Sequence, residues 1–264
     1  MNAQKETRSD NQPLLSMTAV SKSFGGVHAV RNVNFSLAPD TITGLIGPNG
    51  AGKTTLFNLI TGVFPANSGS IIFNGNSTHK IAINELVRLG IARTFQNVEL
   101  FESMTVLENI LVGQHTQTRC GIWGSIFRFP WVLREEHQAR QDAMALLEFV
   151  GLEAYAEQKS SDLPFGWQRL LELARALAAR PKLLLLDEPA AGLNIVETAQ
   201  LGELIKKIRE NGITVLLVEH DMSLTMTVSD KIIVLDQGIK IAEGLPRDVQ
   251  ENEAVIKAYL GTTR

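Results

Sequence analysis

Nine residues carry the densest chemistry in this chain: Gly47, Pro48, Asn49, Gly50, Ala51, Gly52, Lys53, Thr54 and Thr55. They fit G-x-x-x-x-G-K-[ST], the phosphate-binding P-loop. A triphosphate needs many donors at close range. Glycines let backbone N–H groups approach it and adopt φ > 0 without a Cβ clash. Lys53 has the reach for the β- and γ-phosphates, and the Thr54 hydroxyl suits Mg²⁺. A second group stands at Leu183-Leu184-Leu185-Leu186-Asp187-Glu188. Four apolar residues bury a strand, and Asp187 emerges at its C-terminal end, where open α/β sheets bind ligands. Asp187 can hold Mg²⁺ directly or through water, and Glu188 is placed to polarise an attacking water. His220 closes another apolar run and can reach a γ-phosphate. Together these residues describe phosphoryl transfer to water, a reaction run mainly by positioning and charge stabilisation.

The elements around them have the right order. Thr41 to Ile46 reads as a buried strand before the P-loop. Leu56, Leu59 and Ile60 have helical spacing after it, with Gly62 as a stop. The helix that starts near Lys53 points its positive end at the anion. Leu14 to Phe24 and His28 to Leu37 read as strands joined at Gly25-Gly26. Phe24, at the end of the first, suits either stacking on a purine base or a place in the core. Asn74-Gly75 marks a hairpin. Ile91 to Phe95 is a strand followed by Gln96. Residues 97–165 turn largely helical, with Asp142 to Val150 the clearest helix. Within them, Gly121 to Arg134 interleaves aromatics and arginines, suiting either a partner or lipid contact or a small satellite core. Trp167 to Ala179 and Glu197 to Asn211 are amphipathic helices. Ile213 to Val218 is a buried strand, Lys231 to Leu235 and Ile239 to Glu243 a hairpin, and Glu251 to Leu260 a closing helix. Helices alternating with continuously apolar strands predict an α/β fold with a mostly parallel sheet covered on both faces.

Bulk properties narrow the function. The 264 residues are 44% hydrophobic, enough for a sizeable core, and the net charge is −3. With a pI near 6.0, the chain lacks the basic excess of a general nucleic-acid binder. Cys120 is its one cysteine, so a reducing compartment is expected. No apolar run approaches the roughly 20 residues that span a bilayer. Residues 1–12 are polar and read as a flexible tail, leaving 13–264 as one ATP-binding domain with a helical subdomain at about 97–165.

From about residue 14 onward the chain resembles the nucleotide-binding subunits of ABC transporters. Residues 47–55 match Walker A, and the strand ending at Asp187-Glu188 matches Walker B. The resemblance implies a P-loop cassette in which a mostly parallel core is joined by an antiparallel β subdomain and a helical one. It makes Gln96 the Q-loop residue, among the catalytic and metal groups together with Thr54 and Asp187. It also makes His220 the switch histidine and Phe24 the adenine-stacking aromatic. The family signature, usually Leu-Ser-Gly-Gly-Gln, falls on Leu163-Pro164-Phe165-Gly166-Trp167, a departure at three of five positions. In the family this segment caps the ATP held by the partner subunit. Pro164 has neither N–H nor hydroxyl, which leaves Gly166 and the following helix N-terminus for that task. The D-loop, Ala191-Gly192-Leu193-Asn194, has Asn where Asp is usual.

Leu-Pro-Phe-Gly, the run Asp187-Glu188-Pro189-Ala190-Ala191-Gly192-Leu193-Asn194, an insertion near 115–135 and the ending Val255 to Gly261 resemble the LivG-type ATPases. Those energise bacterial importers of branched-chain (hydrophobic) amino acids. The resemblance implies ATP and Mg²⁺ as cofactors, two transmembrane permease subunits, a second ATP-binding subunit in a homo- or heterodimer, and, indirectly, a solute-binding protein. It places the chain peripherally at the cytoplasmic face of the inner membrane. Similar ATPases serve importers of urea, amides or aromatic acids, and exporters of lipid or lipopolysaccharide. A soluble ABC-type ATPase is disfavoured by the single cassette and the lack of sustained heptads. A GTPase is disfavoured by the missing Asn-Lys-x-Asp. The altered signature also admits a cassette that binds ATP without hydrolysing it.

Overall fold

The computed structural model describes residues 12–94, 98–116 and 130–260. Gln96, the tail to residue 11, Cys120 and most of the stretch from Gly121 to Arg134 lie outside the described residues.

Two sheets organise the described chain. A four-stranded antiparallel sheet has the order β2-β1-β4-β5. Its strands are β1 (Leu15–Phe24), β2 (Val27–Leu37), β4 (Ser68–Phe73) and the short β5 (Asn76–Ser77). A six-stranded sheet has the order β10-β9-β3-β8-β7-β6. It is built from β3 (Ile42–Ile46), β6 (Ile91–Arg93), β7 (Leu183–Asp187), β8 (Thr214–Val218), β9 (Lys231–Asp236) and β10 (Ile239–Gly244). All its pairings are parallel except β9 with β10, which close an antiparallel edge.

The apolar runs of β7 and β8 are explained by which face each residue serves. Leu184, Leu186, Val215 and Leu217 join a core under the helices. Leu183, Leu185, Leu216 and Val218 join the opposite core, which also takes Val30, Val33, Leu56, Phe57 and Phe73. Side chains alternate across a strand, so a sheet covered on both faces needs an apolar residue at every position.

The helices are α1 (Lys53–Ile60), α2 (Ile83–Leu89), α3 (Val106–Gly113), α4 (Pro130–Val150), α5 (Phe165–Ala178), α6 (Ile195–Glu210), α7 (Met222–Val228), α8 (Pro246–Gln250) and α9 (Glu253–Leu260). Three depart from the sequence expectation. Helix α4 is 21 residues long. It begins well before Asp142: the turns from Arg134 to Gln141 are almost entirely charged or polar and lack the apolar spacing that marks the later ones. The single closing helix is two, separated at Asn252, whose Oδ1 accepts from Ala254 N–H. Helix α7 has no long periodic stretch to announce it. Asp221 caps it, accepting from the N–H groups of Ser223 and Leu224.

Parallel pairing brings the chemistry to one edge. Leu45 of β3 lies opposite Val218 of β8, and Asp187 of β7 lies opposite Val218. The P-loop after β3, the end of β7 and the Glu219-His220 segment after β8 therefore leave the sheet side by side at its C-terminal edge.

Candidate functional site

The P-loop wraps the start of α1. Gly52 is its N-cap residue, at φ 101° and without a side-chain cap. A Cβ on Gly52 would stand 2.4 Å from the Ala29 carbonyl oxygen, and one on Gly47 (φ 152°) would stand 2.1 Å from that of Leu235. Only glycine fits at either position. The Gly238 N–H donates to the Ala51 carbonyl at 3.0 Å, and the Arg31 N–H donates to the Gly238 carbonyl at 2.7 Å. The loop is thus tied to both sheets. On α9, Tyr259 faces the Gly47 amide, and burial raises the pKa of its phenol.

Lys53 is buried. Its Nζ donates to the carbonyl oxygens of Gly47 at 2.7 Å and Pro48 at 3.1 Å. Desolvation pushes the ammonium below the usual lysine range, against the pull of the Glu188 and Asp187 carboxylates. A phosphate oxygen would add to that counter-charge and offset the desolvation. Thr54 is exposed in the first turn of α1. Its hydroxyl and the Asp187 carboxylate are the hard oxygen ligands that Mg²⁺ prefers. Among the described residues no three His, Cys, Asp or Glu side chains cluster to hold a metal.

Glu188 follows β7 at φ 50°, a left-handed conformation that costs a non-glycine residue of the order of 1–3 kcal/mol. Its N–H donates to the Val218 carbonyl at 2.8 Å, which fixes the turn. The turn carries the side chain to His220, whose Nε2 lies 2.8 Å from Glu188 Oε1. His220 is half exposed.

Residues that motif reading passed over hold these groups in place. Glu219 Oε1 accepts from the Ala190 N–H at 2.6 Å, and its Oε2 accepts from the N–H groups of His220 and Asp221 at 2.9 and 3.3 Å. One buried carboxylate therefore joins the segment after Glu188 to the segment that bears His220. Burial raises its pKa, with the Glu188 charge adding and the three amides opposing. Arg93 on β6 forms an ion pair of 2.6 Å with Asp187. The signal available in the sequence was a charged side chain closing the short apolar strand Ile91-Ala92.

Phe24 is 45% exposed. It packs edge-on against Phe64 at 5.1 Å, with Lys22 Nζ 5.1 Å from its ring centre. It lies outside the core, which leaves ring surface for a base.

In the signature segment, Leu163 is buried while Pro164 and Phe165 are exposed. Pro164 is the N-cap residue of α5 and provides no side-chain cap. Phe165 lies over the D-loop: a Cβ on Gly192 would stand 2.7 Å from its Cε1. Trp167 turns inward against Tyr155, their ring centroids 4.5 Å apart. A Cβ on Gly166 would stand 2.9 Å from Glu197 Oε1. Asn194 caps α6 by accepting from the N–H groups of Val196 and Glu197, and Glu197 Oε2 accepts from the Asn194 N–H. An asparagine serves this capping box as well as an aspartate, which accounts for the D-loop departure.

Gln96, expected in the same site, lies outside the described residues. Among the described residues no helix is long and apolar enough to cross a membrane.

Residues 30–191 match the family model described as ABC transporter, and residues 240–263 match that of the branched-chain amino acid ATP-binding cassette transporter. The high-affinity branched-chain amino acid transport ATP-binding protein LivG of Escherichia coli (strain K12) is 45% identical over 252 residues, covering 95% of this chain and 99% of that protein. Among solved structures, the ADP conformation of MJ1267, an ATP-binding cassette of an ABC transporter, aligns with a TM-score of 0.83 and 32% identity, covering 95% of this chain and 99% of that one. A dimeric post-hydrolysis state of the ATP-binding cassette MJ0796, bound to ADP and Pi, aligns with a TM-score of 0.74 and 27% identity, covering 88% and 99%. The expected fold class is observed. A P-loop, a carboxylate pair and a histidine converging on one sheet edge, in a chain matched along nearly its whole length, have one reading: the chain belongs to the ABC transporter ATPases, among the ATP-binding subunits of the branched-chain amino acid (LivG) family.

Proposed function

We propose that this subunit hydrolyses MgATP to drive uptake of branched-chain or other hydrophobic amino acids. The observation that carries the chemistry is the Glu188–His220 contact beside the buried Lys53. The solute assignment is supported by the name of the LivG relative and by the match at residues 240–263.

Each side chain has a task. Backbone N–H groups of the P-loop and the start of α1 cradle the phosphates, and Phe24 offers its ring to adenine. Lys53 leaves its carbonyl partners for the β- and γ-phosphate oxygens and neutralises charge as it builds. Thr54, Asp187 and Gln96 would hold Mg²⁺, which would supply Lewis-acid stabilisation of the charge that builds on the phosphates. Glu188 accepts the proton of the attacking water, and His220 fixes its carboxylate and reaches the γ-phosphate.

The signature, from Leu163 to Trp167, caps the ATP of a second ATP-binding subunit. Two such subunits close around ATP and open after hydrolysis, since ATP binds the closed pair better than the open one. Two permease subunits convert that motion into transport. The subunit sits on them at the cytoplasmic face of the membrane, and a solute-binding protein delivers the amino acid.

The test is gentle affinity purification from native membrane, then uptake of radiolabelled leucine, urea and an aromatic acid by the reconstituted complex. Recovery of two polytopic proteins and a second ATPase, with leucine carried, is the expected result. A complex that carries only urea or the aromatic acid would overturn the solute assignment. Recovery of no membrane protein would overturn the transport role.

A further inference from the structure

Arg93 forms a two-armed connection that the phosphate-binding motifs do not explain. Its Nη2 donates to Asp187 Oδ2 at 2.6 Å, and its Nη1 donates to Asn58 Oδ1 on α1, also at 2.6 Å. Its guanidinium carbon lies 5.4 Å from the ring centre of Phe57 on the same helix. The side chains of Arg93 and Asp187 are 10% and 7% exposed. The contact follows from register. Arg93 of β6 lies opposite Leu185 of the parallel strand β7, so a long side chain reaches two residues onward, on the same face, to Asp187. Thr94 adds to the grip, its Oγ1 accepting from the Asp187 N–H at 3.4 Å.

We infer that Arg93 is a positioning residue for the metal step: its fork sets the orientation of the Asp187 carboxylate and bolts it to the P-loop helix. The inference rests on the MgATP reading of this site. Taking two charges out of water is costly, and a buried pair is maintained only by good geometry and further hydrogen bonds. Arg93 meets both demands, because a planar guanidinium can hold Asp187 and Asn58 at once. With Oδ2 engaged by Arg93, Oδ1 is the oxygen that would be left for the metal. Arg93 also keeps Asp187 from a competing partner. Lys53 already feels the Asp187 charge, and without Arg93 it would be the cation drawn to that carboxylate, away from the phosphates. A lysine at position 93 would keep the charge but lose the fork.

The experiment is equilibrium binding of trinitrophenyl-ATP to the full-length wild type, Arg93→Lys, Arg93→Ala and Asn58→Ala, with Mg²⁺ titrated and in EDTA, beside thermal melts. Affinity in EDTA should stay within about twofold of wild type for Arg93→Lys. The Mg²⁺ concentration for half-maximal enhancement of binding should rise about tenfold in Arg93→Lys, and by less in Asn58→Ala. If Arg93→Ala does not fold, the two milder variants decide. Wild-type Mg²⁺ dependence in both, whether or not their melting temperatures fall, would overturn the inference and leave the ATP reading standing. A wild type that binds no nucleotide would overturn both.

Discussion

His220 Nε2 stands 2.8 Å from Glu188 Oε1, and the two residues leave adjacent parallel strands at the same level. The strained backbone of Glu188, at φ 50°, is what turns its side chain toward the histidine. Strain of this kind persists where the surroundings over-determine it. Here the surroundings are the Val218 carbonyl and the Glu219 carboxylate.

Glu188→Gln keeps the shape and the hydrogen bond to His220 but removes the proton acceptor. ATP binding should persist, and hydrolysis should fall by about 10²–10⁴-fold, the usual contribution of a general base. The variant should also accumulate as a closed pair of cassettes when ATP is present. Steady-state phosphate release and size-exclusion chromatography with ATP check both. Normal turnover would remove the base role assigned to Glu188.

Lys53→Ala should weaken ATP binding by roughly tenfold to a hundredfold, the value of one charge-assisted hydrogen bond at about 1.5–3 kcal/mol. Melting temperature without nucleotide should hold or rise. The lysine is buried among carbonyls with its pKa pushed down by desolvation, so its removal relieves a cost in the empty state. Calorimetric titration and a melt of each variant separate the two effects.

Gly166→Asp tests the altered signature. The Cβ of the added side chain would stand 2.9 Å from Glu197 Oε1, and its carboxylate would present negative charge toward the partner's ATP. Nucleotide binding by the isolated subunit should be unchanged, while turnover in the assembled complex should fall on the order of a hundredfold. Unchanged turnover would show that residues 163–167 are not the cap.

How much of this was legible in the chain depends on sequence distance. The P-loop, with Lys53 and Thr54, is contiguous, and its glycines are required by local backbone geometry, so reading it needed no fold. Asp187 was legible because four apolar residues announce a buried strand and the acid ends it. Arg93 and Glu219 were not. Arg93 acquires its role through pairing with a strand about ninety residues away, and Glu219 through amides it meets only after β7 and β8 pair. The start of α4, within a region read as largely helical, was not placed for another reason: the turns from Arg134 to Gln141 carry too few apolar residues for a helical period.

Glu219 yields a pH prediction whose sign follows from its surroundings. Burial makes its carboxyl hold a proton to higher pH than an ordinary glutamate. The folded protein therefore binds more protons than the unfolded chain in the window just above the ordinary glutamate range. Stability contributed by this group is greatest below that window and falls as pH rises through it. Glu219→Gln should flatten that slope, because an amide does not titrate. It should also cost about 1–3 kcal/mol at neutral pH, where the carboxylate accepts from all three amides. One amide carbonyl cannot accept on both sides, so either the Ala190 N–H or those of His220 and Asp221 face an NH₂ group instead. The loop bearing Glu188 then loses its tie to the loop bearing His220, and hydrolysis should fall with nucleotide affinity intact. Melts of both proteins from pH 5 to 8, with turnover at each, distinguish these effects. A slope that survives the substitution would assign the titration to another group.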